Sequence, residues 1–499
     1  MKDNLLVLLI TLTSFSVSAQ QNSLGIFEGQ ADIGTGTKAG SGTYLSQTQQ
    51  YIISGAGTNI WNNSDEFHFV YKKMKGDFIL HSRADFVGWK GVDPHRKLGW
   101  MIRKSLKANS AQVNVSEHGD GLTSLQFRRT DGAMTEEIRS KVDSANVLQL
   151  ERKGNTYTMR IARYGEQFVT AQVANIELGD EVYVGLFVGS HHADANESGV
   201  FSNVRISVPF PDHEKVAMTL GSDVELAEIA TGNRKIVHSV PYSIQAPNWT
   251  PDNKSLIFND EKGILYRFGL EDSKTETINT GGVTSNNDHV LSFDGKMLGI
   301  SSNTKLGSII YTVPTLGGVA RQITPLAQSY LHGWSPDGKD LVFCGQRNNE
   351  FDVYKVPAAG GPEIRLTDAK GLDDGPEYTP DGKYVYFNSV RTGMMQIWRM
   401  KPDGSNQEQI TYDNNLNNWF PHISPDGKWI VFISFLKEEV EPGDHPPYKH
   451  VYIRLMPITG GKPKVLAYFY GGQGSMNTPS WSPDSKQVAF VSNSDKMPK

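Results

Sequence analysis

A single cysteine, Cys344, stands in the 499 residues, so no disulfide can close within the chain whatever its redox compartment. Lying in the apolar run Leu341-Val342-Phe343-Cys344, it reads as a small core residue rather than a nucleophile. Long hydrophobic runs are also missing: Leu5 to Ile10 is the main one, far short of the roughly 18 residues a membrane-spanning helix needs. Charge of one sign is lacking as well. The formal net charge is −5, which gives no general attraction to nucleic acid or to an anionic membrane. No compact His-Glu-x-x-His metal spacing occurs. With 38% hydrophobic and 21% charged residues, the chain can still bury ample apolar surface and does not read as disordered.

The amino terminus carries an address. Lys2 precedes the apolar run, and Val17-Ser18-Ala19 offers small residues for cleavage, so residues 1–19 read as a secretory signal peptide. No cysteine stands beside that site, which argues against a lipid anchor. The expectation is a soluble mature protein starting near Gln20, periplasmic or secreted.

The second half is built on a repeat. An apolar or aromatic residue followed by a Ser/Thr-Pro-Asp-Gly-Lys-like turn recurs at Trp249, Leu291, Trp334, Tyr378, Ile423 and Trp481. The turn aspartates, Asp252, Asp294, Asp337, Asp381, Asp426 and Asp484, are spaced 42, 43, 44, 45 and 58 apart. A period of about forty residues means one supersecondary unit stacked many times. Proline presets φ, Asp bonds to nearby backbone, and Gly takes the left-handed position of a tight turn. In the third copy, Leu341–Cys344, Asp352–Val356 and Glu363–Thr367 follow as strands, giving four per unit and predicting a β-propeller. The last copy stops after two strands, and Val224–Ile229 with Arg234–Val237 supplies two more before the first. Six blades closed by both chain ends follow.

These repeats, with Gly-Gly and Leu-Thr between blades, resemble the TolB-like propeller family over about residues 215–499. That family implies fold more than function, because it includes periplasmic adaptors, peptidase-attached domains and oligogalacturonate lyases. The chain has no Gly-x-Ser-x-Gly elbow followed by an α/β domain, which disfavours the peptidase option.

Residues 22–208 alternate in polarity with period two, as in Phe67–Tyr71, Asp77–Arg83, Ala111–Val115, Thr156–Ile161 and Val182–Val188, which predicts a sandwich of antiparallel sheets. Segments such as Ile60-Trp61, Gly76-Asp77-Phe78 and Leu98 to Arg103 resemble the concanavalin-like jelly rolls of secreted carbohydrate-active proteins. The paired-carboxylate motif Glu-x-Asp-x-x-Glu of glycoside hydrolases on that fold is absent. Trp61, Trp89, Trp100, Arg103, His118 and Asp120 could furnish a sugar platform, although two of the tryptophans could instead be core. The fold expected is thus all-β: a signal peptide (1–19), a concanavalin-like sandwich (22–208), a linker marked by Pro209-Phe210-Pro211 (209–221) and a six-bladed propeller (222–499).

Chemistry is expected on the propeller mouth opposite the repeated turns. His289 and His332 hold one register position in adjacent blades, where the other four have proline. Asn287, Asp288, Asp373, Asp374, Glu377, Asn418, Trp419, His422 and Asn477 gather at that face. Arg347 and Arg391 arrive there on second strands, and the enlarged loop Lys437–Lys449 adds His445. In one reading His289, His332 and His422 hold a divalent metal, since the lyases that the repeats resemble use a histidine-held metal, although six blades do not match the lyases' larger ring and its ligand positions do not transfer one by one; in the other they bond to blade backbones. His332, Arg391 and Asp374 are the catalytic candidates; Trp419, Asn418, Arg347 and Glu377, with Trp61, Trp100 and Arg103, are the ligand-binding ones.

Three functions compete. The leading one is an exported carbohydrate-recognition protein, whose sandwich holds a glycan and whose propeller binds a second ligand, an acidic saccharide or a protein. The alternatives are a metal-assisted polysaccharide lyase or related sugar-modifying enzyme, and a TolB-like envelope adaptor for a protein partner.

Overall fold

The computed structural model describes residues 23–35, 38–88, 91, 93–210 and 219–495. The signal peptide expected over 1–19 and most of the linker expected over 209–221 lie outside the described residues.

The first half is two seven-stranded antiparallel sheets. One runs in the order Gly29–Ile33, Phe67–Lys75, Glu181–Gly189, Lys97–Arg103, Gln112–His118, Thr123–Arg128, Glu136–Arg139. The other runs Val169–Val173, Thr156–Ala162, Val147–Lys153, Phe78–Phe86, His192–Ser207, Gln50–Gly57, Ser41–Leu45. Leu98, Trp100, Ile102, Val113 and Val115 of the first share one apolar cluster with Ile53, Leu80, Leu148, Leu150 and Met159 of the second. The sheets therefore pack face to face, each giving alternate residues to the core.

The second half is a ring of six sheets. Five have four strands each, beginning at Ile244, His289, Ser329, Asp373 and Leu416. The sixth joins Arg234–Val240, Gly221–Glu228 and Gln487–Ser494. A Trp481–Val488 bridge extends it inward. Pairing from Gly221 with Ser494 to Glu228 with Gln487 completes the sixth blade from both ends of the chain and closes the ring, covering an edge of Gly221–Glu228 that would otherwise be unpaired.

The repeated turn is held in the same way in every blade. In the third, Ser335 Oγ donates to Asp337 Oδ1 at 2.7 Å, which also accepts from Lys339 N at 3.1 Å, while Asp340 N donates to Ser335 Oγ at 2.9 Å. Gly338 has φ +70°, a conformation that Asn253 and Ser485 adopt in the first and last copies.

The halves meet along a wide seam. Val147 and Ala162 pack with Leu416, Tyr452, Val465 and Tyr468. Asn203 bonds Gly232 O and Arg234 N at 2.8 and 2.7 Å, and Gln49 bonds both backbone groups of Ile236 at 2.9 Å. At its centre Glu225, on the closing strand, accepts from Arg234 at 2.6 Å, from Arg205 of the paired sheets at 2.8 Å and from Ser492 at 2.6 Å. Burial alone would raise its pKa, but Arg205 and Arg234 pull it down to about 2.

Two outcomes follow for stability. Removing residues 487–499 deletes the closing strand and should leave an insoluble or much less stable chain in thermal and solubility assays; an equally stable product would contradict closure by both ends. Glu225→Ala leaves two buried guanidinium groups unpaired and should cost about 3–5 kcal/mol in urea unfolding.

Candidate functional site

The innermost strands of four blades carry a β-bulge, which re-aims side chains at the channel. In the fourth blade the register shifts between Asp374, opposite Asn388, and Glu377, opposite Tyr386. Gly375 sits inside the bulge at φ +61°, where a Cβ would come within 2.5 Å of Asn388 Oδ1 and 2.8 Å of the Phe420 ring. In the third blade His332 is the extra residue, between Leu331 opposite Phe343 and Gly333 opposite Val342. The second blade pairs His289, Val290 and Leu291 with no shift. His289 and His332 thus share a sequence register without sharing an environment.

One mouth of the channel opens into a cavity of about 520 Å³ that Asp288, Tyr330, His332, Phe351, Asp374 and His445 help to line. His332 Nε2 lies 3.1 Å from Asp374 Oδ1, and its ring stacks on Phe420 at 5.4 Å. His445, from the enlarged loop of the fifth blade, brings Nε2 to 3.4 Å from Asp374 Oδ2. Trp419 buttresses that imidazole edge-on at 4.6 Å. Asp288 accepts from Asn477 Nδ2 at 3.0 Å.

The two carboxyls are driven apart. Burial disfavours a charge on Asp374, yet His332 and His445 outweigh it and hold the carboxyl well below the usual range. Asp288 has no such contact. Burial pushes it up to about 6, His332 opposing and Asp374 reinforcing. For His332, burial works against protonation, but the two carboxylates prevail and its pKa is raised. The cavity thus holds an ionised carboxylate paired with an imidazolium, beside a carboxyl able to exchange a proton near neutral pH.

Several expected site residues are elsewhere. His289 is fully buried, 3.4 Å from Ile257 O, and burial lowers its pKa to about 4. His422 pairs with Glu377 at 2.6 Å and faces Met476 O at 3.3 Å. Glu377 borders a different cavity, at the mouth of the repeated turns. His289, His332 and His422 therefore have three separate sets of partners. Among the described residues no three His, Cys, Asp or Glu side chains are grouped to hold a metal ion, so the donor set expected for a metal does not fit.

Arg347 forms a bidentate pair with Glu363 at 2.9 Å, and Arg391 pairs with Asp373 at 2.6 Å over the Trp398 ring. Both guanidinium groups are satisfied within the propeller. Asn418 is buried, bonding Asp413 and Ser434, and Trp419 is 1% exposed with no open face for stacking.

In the paired sheets, Trp100 is core, its indole donating to Ser82 Oγ at 2.9 Å. Arg103 is buried, donating to the carbonyls of Ser105 and Lys107. Trp61 is half-buried on a two-residue strand, and Trp89 lies outside the described residues. Trp100 and Arg103 cannot join Trp61 in a sugar platform. Tyr330 and Phe351, which wall the cavity, were not foreseen; Tyr330 stands two residues before His332 on the same strand, a spacing that signals the shared face. Cys344 borders the cavity but is buried, and burial with the nearby Asp374 charge pushes its thiol pKa well up. It remains inert.

Residues 332–442 match the model of the TolB β-propeller domain. An uncharacterized protein of Agrobacterium fabrum is 45% identical over 276 residues, 55% of this chain and 92% of that protein. A solved structure from Agrobacterium tumefaciens, provisionally assigned as a TolB, is 44% identical, with a TM-score of 0.53 over 56% of this chain and 100% of that one. The Tol-Pal system protein TolB of Francisella tularensis is 25% identical over 165 residues, which span 33% of this chain and 35% of its own length. Through its propeller, the chain belongs to the TolB-like β-propeller family.

Proposed function

We propose that this is an exported carbohydrate-recognition protein that takes an oligosaccharide into the propeller cavity. The supporting observation is the lining: aromatic rings of Tyr330 and Phe351 beside Asp288, Asp374 and His332, in a volume suited to one or two sugar rings. Apolar ring faces cover the C–H side of a pyranose, and carboxylates accept from its hydroxyl pairs. The ligand class shifts from acidic to neutral sugars on electrostatic grounds. Arg347 and Arg391 are committed to Glu363 and Asp373, so neither guanidinium is free for a substrate carboxylate, and two protein carboxyls face the ligand instead. On this reading the paired sheets are a concanavalin-like sandwich fastened to the propeller.

A second reading, an envelope adaptor, draws on the opposite mouth and on the Tol-Pal name of the Francisella relative. There Trp249, Trp334, Tyr378 and Trp481 wall a cavity of about 240 Å³, with Phe293 46% exposed at its rim. Such an apolar mouth suits a peptide side chain.

Calorimetric titration of the full chain with neutral and uronate oligosaccharides separates these readings. Neutral sugars should bind, and Asp374→Asn and His332→Ala should each weaken binding about tenfold or more, roughly 1.4 kcal/mol. Asp337→Ala, in a turn at the other mouth, should leave affinity unchanged. Preference for uronates, or loss of binding only in the turn variant, would sink the proposal.

The same cavity can move protons, because a carboxyl near pH 6 stands beside one that stays ionised. Asp288 also leaves a signature in stability. Its folded pKa is raised from 3.8, so its contribution is complete below about pH 4 and is lost as pH rises through about 6. Asp288→Asn should therefore stabilise the protein at pH 7.5 by on the order of 2 kcal/mol and have little effect at pH 4, read from melting curves at both pH values. Equal effects at both would mean that Asp288 is not a buried, proton-exchanging acid.

A further inference from the structure

The seam between the paired sheets and the propeller encloses a much smaller cavity of about 20 Å³, enough for one atom-sized guest. Its wall comes from both halves: His81, Gln149 and Arg205 from the sheets, Arg234, His450 and Tyr468 from the propeller.

The chemistry of this wall is one-sided. Gln149 Nε2 and His81 Nδ1 have no hydrogen-bond partner among the described residues, and the two residues are only 3% and 5% exposed. His450 Nε2 lies 3.4 Å from Glu151 without an aligned hydrogen bond. Arg205 and Arg234 converge on the single carboxylate of Glu225, at 2.8 and 2.6 Å. Two guanidinium charges, Arg234 buried and Arg205 11% exposed, stand against the one carboxylate of Glu225, and no carboxylate lines the cavity itself, Glu151 lying beyond His450. A buried, uncompensated charge is unfavourable, and so is a buried N–H without an acceptor. One guest removes both costs if it is anionic, monatomic and an acceptor of several N–H groups.

We propose that this cavity is a binding site for a small monovalent anion of the halide class, chloride in physiological salt, which balances Arg205 and Arg234 and fastens the sheets to the propeller. The site is independent of the sugar cavity and of any activity there.

Crystals of the full chain soaked in sodium bromide should show an anomalous peak within hydrogen-bond reach of Gln149 Nε2 and Arg205. In melting curves at constant ionic strength, replacing gluconate by chloride from about 1 to 100 mM should raise Tm by roughly 1–3 °C. Gln149→Glu sets a carboxylate in the same place; it should melt in gluconate as the parent does in chloride and lose the halide response. An ordered water with no anomalous signal, or identical parental melting in both salts, overturns the proposal, as does a variant that keeps the full chloride response. Should Gln149→Glu fail to fold, the bromide peak and the parental melting curves still decide.

Discussion

The ladder between Gly221–Glu228 and Gln487–Ser494 is the constraint on which the rest of the molecule depends. Without Gln487–Ser494 the sixth blade would leave one edge of Gly221–Glu228 unpaired, and the strand that covers it lies more than 250 positions away in sequence. Closing so long a loop costs entropy that grows only with the logarithm of its length, whereas an open ring exposes apolar blade faces in proportion to their area. Glu225 adds a second duty to that strand. Its carboxylate is shared by Arg234 beside it, Ser492 on the partner strand and Arg205 in the paired sheets, so one buried anion takes part in both ring closure and attachment of the first half. Its removal would be felt on both sides of the seam.

The cavity inherits its asymmetry from small departures within a symmetric frame. Six near-identical turns fix the strands at one mouth, and this leaves the residues at the other mouth free to differ. What selects among them is the bulge: His332 is the bulged residue of its strand, while His289 belongs to a regular ladder and turns to the carbonyl of Ile257. Asp374 and Glu377 are separated the same way. Two residues of one strand, split by Gly375-Pro376, serve opposite ends of the channel.

The blade count, closure and turn chemistry were legible because each is written in local sequence. Proline, Asp and a residue tolerant of positive φ can hardly mean anything but a turn, and their spacing counts the blades. The site was only half legible. Register placed His332, Asp374 and Asp288 at one mouth, where they do line a common cavity, but it also placed Arg347, Arg391, Asn418 and Trp419 there. Which of these would be consumed by Glu363, Asp373, Asp413 and the packing around His445 depends on long-range neighbours that no spacing records. The same blindness affected the first half. Lys97–Arg103 is buried along its whole length, because loops cover the face turned away from the core, so period two could not say that Trp100 faces inward.

Burial sets the energetic character of the cavity. The His332–Asp374 pair is nearly cut off from water, so its attraction is strong but is offset by the loss of hydration of both ions. Asp288 lacks an equivalent partner and costs stability once it ionises. A core selected for stability alone would replace all three with apolar side chains, as the barrels of the blades do with Ile300, Phe343 and Phe387 a few residues away. Three ionisable groups held at one mouth against that gradient, while the turns at the other mouth repeat a single stabilising pattern, are the physical ground on which the proposed binding role rests.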